Sequence, residues 1–166
     1  MPNTDEQPLR LDIDPLRPVL VLSDTHGTLS EPVIRHLLGV QLILHAGDVD
    51  TPEILSELQA IAPVIVARGN MDFGGWAKEI PAVRHLVLNE VSIVLVHNIT
   101  HLDGSPLLDH CDAIVHGHTH RPVIETVNHT LVVNPGSASY PKQGLSPSLI
   151  RLWIDRTGLR AEMVIP

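Results

Sequence analysis

Seven side chains in this sequence are of the types that hold metal ions for hydrolysis. They are Asp24 and His26 in SDTHG, Asp48 in HAGDV, Asn70 in RGNMD, His97 in VLVHN, and His118 and His120 in HGHTH. Two carboxylates, one amide and four imidazoles suit a pair of borderline divalent ions, with one carboxylate shared between them. A carboxylate has an oxygen for each of two cations, and an amide oxygen ligates without adding charge. Asp24 and His26 are two apart, so in an extended segment they share one side. His118 and His120 repeat that spacing after Gly117. Taken singly, each has a commoner explanation: a capping Asp, a turn Asn after Gly69, or a packed His at a strand end. His45, His101, His110 and His116 lack matching neighbours and stay outside the set.

Each of the seven follows an apolar run, which indicates the elements that must position them. Residues 18–23, 41–45 and 63–67 read as short buried strands. Between them, Ser30 and Thr51 are candidate N-caps, with Pro32 and Pro52 in the first turns of helices to about Leu38 and Ala60. The first half is therefore β-α-β-α-β around a parallel sheet, whose ligands belong beyond the carboxyl ends of the strands. Asp24, Asp48 and Asn70 fall there. The second half reads as short strands at 83–88, 91–96, 113–116, 123–127, 131–133, 148–154 and 159–164, with a hairpin turned at Asn89-Glu90 and one short helix near residues 105–110. These predict a second sheet, largely antiparallel. The fold class expected is α/β, a four-layer αββα sandwich of two mixed β-sheets flanked by helices. Residues 1–16 read as a flexible lead-in and residues 17–166 as one domain.

Composition narrows the function classes. The chain has 166 residues, 43% hydrophobic and only 2% aromatic, so the core must be aliphatic and stacking platforms for single-stranded nucleic acid are scarce. A net charge of −8 gives no basic footprint for a nucleic-acid backbone. One cysteine, Cys111, excludes an internal disulfide. The polar, acidic start MPNTDEQPLRLDID has neither a basic n-region nor an apolar h-region, and no run reaches a membrane span, so a cytoplasmic protein without a membrane partner is expected.

Together, the segments DxH, GD, GN, H and GHxH, followed by Asn134-Pro-Gly-Ser137, resemble the calcineurin-like metallophosphoesterases. Within them the chain is similar to the small YfcE-type phosphodiesterases, relatives of the retromer scaffold subunit. The resemblance runs from about Val19 to Ile154. It implies that Asp24, His26 and His120 hold one ion, that Asn70, His97 and His118 hold a second, and that Asp48 bridges. It also implies catalytic parts for Asp48, Asn70 and His97. The ions would be manganese first, or iron, zinc or nickel. A hydroxide bridging them would attack a small phosphodiester or an activated phosphomonoester. The alternative is a non-catalytic binding or scaffold protein on the same fold. The family's homodimers and homotetramers set the expectation for self-association.

The sequence also departs from the family. Met71 stands where many relatives carry a His after the GN motif, leaving Asp72 or a water as proton donor. Asn98 replaces the Gly that usually follows the His97 motif. Lys142 replaces an Arg after NPGS, and Ser137 and Lys142 are candidate phosphate contacts. Arg68 is expected to pair with a carboxylate, and Phe73 and Trp76 to pack in the core or an interface.

Overall fold

The computed structural model describes Thr4, residues 7–155 and residues 157–166. Among the described residues the first strand is β1 (Leu9–Leu11), which pairs in parallel with the later strand β5 (Val83–Leu88). The Asn89 side chain fastens the same segment, since its amide donates to Ile13 O and accepts from Ile13 N–H, each at 2.8 Å. The span read as a lead-in therefore contributes a strand, because Leu11 and Ile13 reach the apolar core with only three residues of ladder. The lead-in residues 1–3, 5 and 6 lie outside the described residues.

β2 (Val19–Leu22), β3 (Leu42–His45) and β4 (Val64–Val66) form the expected parallel core of the first sheet. α1 (Glu31–Leu37) and α2 (Pro52–Ile61) are the crossovers. Ser30 and Thr51 occupy the cap positions in extended backbone with proline in the first turn, but neither side chain makes a capping bond. The proline's fixed φ and missing N–H set these helix starts.

Two strands expected in the second sheet belong to the first. β10 (Leu149–Asp155) pairs antiparallel with β2, and β11 (Gly158–Val164) with β10, giving the order β11-β10-β2-β3-β4. The other sheet runs β1-β5-β6-β7-β9-β8, with β6 (Val91–Val96), β7 (Ala113–Val115), β8 (Pro122–Val127) and β9 (Thr130–Pro135). It is mixed rather than largely antiparallel: β1/β5, β6/β7 and β7/β9 are parallel. Sequence spacing did not reveal this, because the short 3₁₀ turns after β6 return the chain to a neighbouring parallel position without a long helix. Two-residue turns at Asn89-Glu90 and Asn128-His129, all with positive φ, close the hairpins β5/β6 and β8/β9.

Strand alternation then fixes the layers. Val19, Val21, Leu42 and Leu44 point between the sheets toward Leu86, Leu95 and Val115. Leu20, Leu22 and Ile43 point the other way, onto Val33 and Leu37 of α1 and Ile54 and Leu58 of α2. Every residue of β2 and β3 is buried, as a sheet covered on both faces requires. On the far side, Val94, Val96 and Ile114 lie under Leu102, whose 3₁₀ turn (Ile99–Leu102) and the next (Pro106–Asp109) form a thin fourth layer. Truncating Leu44 to Ala in the middle layer should cost about 2–5 kcal/mol.

Candidate metal centre

All seven predicted side chains leave the carboxyl ends of strands on one edge of the sandwich. Asp24 and His26 follow β2, Asp48 follows β3, Asn70 follows β4, His97 follows β6, and His118 and His120 follow β7. Their presentation differs from the expected extended alternation. Asp24 (φ 53°), His26 (46°), Asp48 (56°), His118 (67°) and His120 (54°) all adopt the left-handed backbone region. That region costs an L residue of order 1–3 kcal/mol and concentrates at functional sites. Here it turns each chain sharply, so that consecutive polar side chains face inward.

Two clusters result. In the first, Asp24 Oδ1 lies 3.1 Å from His120 Nε2 and 3.9 Å from His26 Nε2, and the two Nε2 atoms are 3.3 Å apart. His26 Nδ1 sits 3.2 Å from Asp50 Oδ2, and His120 Nδ1 sits 2.5 Å from Tyr140 O. Those partners accept only, so each Nδ1 carries the proton and each Nε2 turns a lone pair inward. Asp24 Oδ1 is buried without a hydrogen bond. Three electron pairs thus face one point, an arrangement that a cation relieves.

The second cluster follows the same logic. His97 Nδ1 donates to Ala46 O at 2.7 Å, leaving Nε2 3.2 Å from Asp48 Oδ2 and 3.0 Å from Asn70 Oδ1. His118 Nδ1 is 3.1 Å from the same Asn70 oxygen. Ligand atoms of Asp24, Asp48 and His97 all lie within 4.8 Å of one another, as do those of Asp24, His26 and His120. Asp24 is therefore common to both Asp/His groups, and Asp48 joins the His97 side.

The site's titration follows from this crowding. Burial lifts the Asp24 carboxyl above the ordinary carboxylate range, against the Ser23 hydrogen bond and the charges of His97 and His120. Burial would raise Asp48 too, but the His97 hydrogen bond and charge, with the Met71 N–H, hold it below that range. Burial disfavours charge on His97, yet Asp48 and Asp24 outweigh it and raise its value. His118 is lowered by burial and by His97.

Several residues act as braces. Asp72, a candidate substrate contact, instead accepts four backbone N–H groups: Asp48 (3.1 Å), Val49 (2.8 Å), Asp50 (2.9 Å) and Gly69 (2.7 Å). It ties the loop after β4 to the loop after β3 and is not free to carry a proton to substrate. Ser137, also a candidate contact, is fully buried; its hydroxyl donates to Asp24 O at 2.7 Å and accepts from the Tyr140 N–H. Asn134 donates to Gly117 O and Thr119 Oγ1, fastening the GHTH loop. Lys142 is exposed on its loop. Arg68 makes no ion pair with a carboxylate among the described residues. A Cβ on Gly69 would strike the Asp48 backbone nitrogen and carboxylate, and one on Gly117 would strike Ser23.

Sequence reasoning missed two contributors. Asp50, outside the predicted set, accepts from His26 Nδ1. His45, set aside, is fully buried: its Nδ1 accepts the Gly47 N–H at 3.1 Å, and its Nε2 meets Thr25 Oγ1 at 3.0 Å. It thereby joins the loop after β2 to the loop after β3. Burial holds its imidazole neutral, with a pKa of about 3. Its position at the last residue of β3, just before the Gly-Asp turn, was the available signal.

Comparison with known proteins agrees with this architecture. A probable metallophosphoesterase of Methanothermobacter thermautotrophicus is 35% identical over 156 residues, covering 87% of this chain and 90% of its own. The solved YfcE phosphoesterase of Escherichia coli superposes with a TM-score of 0.63 at 27% identity, covering 86% of this chain and 90% of that one. Vps29 of Chaetomium thermophilum shares the fold, with a TM-score of 0.70 at 20% identity over 89% and 97% of the two chains. The model of the calcineurin-like phosphoesterase superfamily domain matches residues 18–157. The chain belongs to the calcineurin-like phosphoesterase superfamily, a metal-dependent family of phosphoric ester hydrolases.

Proposed function

We propose that this protein is a dinuclear metal-dependent phosphodiesterase acting on a small phosphodiester or an activated phosphomonoester. One observation supports this most: imidazole and carboxylate lone pairs converge in two adjoining clusters, with His26, His97 and His120 each oriented by a hydrogen bond on the far nitrogen. Such outer partners are characteristic of built metal sites. Asp24, His26 and His120 would hold one ion and Asn70, His97 and His118 the other, with Asp48 between them. Two divalent ions there, manganese first among the candidates, would polarise phosphoryl oxygens and supply a nucleophile from water at neutral pH.

The chain's own residues do the rest. The ligand set adds only two negative charges, so the loaded site is positive inside an acidic protein and draws phosphate. Asp72 and Asn134 keep the ligand loops in register, which matters because electrostatic stabilisation depends on fixed geometry. Met71, 44% exposed beside Asn70, cannot protonate a leaving group, and Asp72 is engaged by four amides. The reading therefore favours esters whose leaving group departs without a protein acid.

The scaffold alternative shares the fold, and the retention of all seven candidate ligands favours the enzyme over it. Hydrolysis of bis-p-nitrophenyl phosphate with added Mn²⁺, for the wild type and Asp48→Asn, separates the two. Expected is turnover that falls at least about a hundredfold in the variant. Two bound ions with no turnover would support the scaffold reading, and equal turnover in the variant would remove Asp48 from its bridging place.

A further inference from the structure

A cavity of about 390 Å³ opens beside Asn70, His97 and His118, with Arg68, Phe73 and His101 among its other lining residues. Its volume suits one ring-sized organic group. Phe73 is the chain's only phenylalanine, and 66% of it is exposed. A ring left in water forgoes the stabilisation of burial. Trp76, three residues on, shows the alternative, since it packs against the helix-side core. Phe73 directly follows Asp72, whose carboxylate is buried and bound by four backbone N–H groups. Arg68 is only half-buried there, with no ion pair to a carboxylate among the described residues. The ring and the guanidinium thus wall a space that opens directly onto Asn70, His97 and His118.

We propose that this cavity is the subsite for a planar aromatic group esterified to the phosphate, an aryl or nucleobase-bearing arm stacked on Phe73, with Arg68 supplying positive charge beside it. The proposal rests on the phosphodiesterase reading for what the phosphate does, but binding alone can test it. A base-sized ring on an aromatic side chain is worth roughly tenfold or more in affinity when the side chain is cut to Ala. Chains with the same ligands but no exposed ring in this loop should accept alkyl esters as readily.

Calorimetry with the full chain in Mn²⁺ would compare phenylphosphonate with methylphosphonate as probes. The wild type should bind the phenyl compound about tenfold more tightly. Phe73→Ala should abolish that preference and leave methylphosphonate affinity, Mn²⁺ content and Tm unchanged, and Phe73→Trp should restore it. Equal affinities in the wild type, a preference that survives in Phe73→Ala, or no binding of either probe at millimolar concentration would overturn the subsite. Ester turnover without a phenyl preference would refute the subsite and leave the enzyme reading standing. A phenyl preference without turnover of any ester would do the reverse.

Discussion

The two ends of the sandwich use the same unusual backbone for different ends. At the hairpin end, Asn89, Glu90, Asn128 and His129 have positive φ and lie at least partly in solvent, where they reverse the chain and Asn89 also fastens Ile13. At the carboxyl-end edge, Asp24 and Asp48 have positive φ and are buried, at 0% and 3% exposure. The residue types overlap, because Asn, Asp and His tolerate this region best. Left-handed backbone alone therefore does not mark a site. Left-handed backbone on a buried polar side chain, over-determined by neighbouring bonds, does.

Substitutions can break this contrast, and the largest effect belongs to Gly69. Gly69→Ala should destabilise the protein by about 1–3 kcal/mol, since the new Cβ collides with Asp48. It should lower Mn²⁺ content together with the urea midpoint; an unchanged midpoint would mean the two loops are not as tightly locked as described. Next is Asp50→Ala, which removes the acceptor that orients His26. A loss of about 10–100-fold in metal affinity, read by competition with a chelator, is expected with little change in Tm.

Acidity sharpens the same comparison through His45. Its folded pKa of about 3 lies below the unfolded value near 6.5, so the contribution it makes is complete above pH 6.5 and is lost as pH falls toward 3. Between pH 7 and pH 5 this amounts to about 2 kcal/mol. Urea unfolding should show a shallower decline for His45→Gln than for the wild type over that interval. Parallel slopes would mean that another buried group, such as His116, dominates. The smallest effect should come from Asn128→Gly at the other end. Stability should stay within about 0.5 kcal/mol and turnover should not change; a larger effect would show that the hairpin turn does more than reverse the chain.

These differences explain what the sequence made legible. The parallel core β2-β3-β4 and its two helices were readable because short apolar runs and proline at helix starts are local signals. The gathering of the seven candidate ligands at one edge was readable because chemistry dictates their types and strand ends dictate their positions. β1 was not, since three residues of ladder carry almost no periodicity, and Asn89, which fastens them, lies 76 residues from Ile13. The placement of β10 beside β2 was equally hidden, because pairing partners depend on the whole layer order. Asp72 and Ser137 looked like substrate contacts because sequence shows a polar side chain but not which amides it already serves. Asp50 and His45 were overlooked for the complementary reason.

The Asp72 brace also has a consequence for motion. The amides of Asp48, Val49, Asp50 and Gly69 lie in connecting segments with no regular ladder, where exchange with solvent deuterium is ordinarily fast. Each is closed by the same buried carboxylate, so displacement of that one side chain would free all four. These four loop amides should therefore exchange as slowly as a core strand and as one cooperative unit.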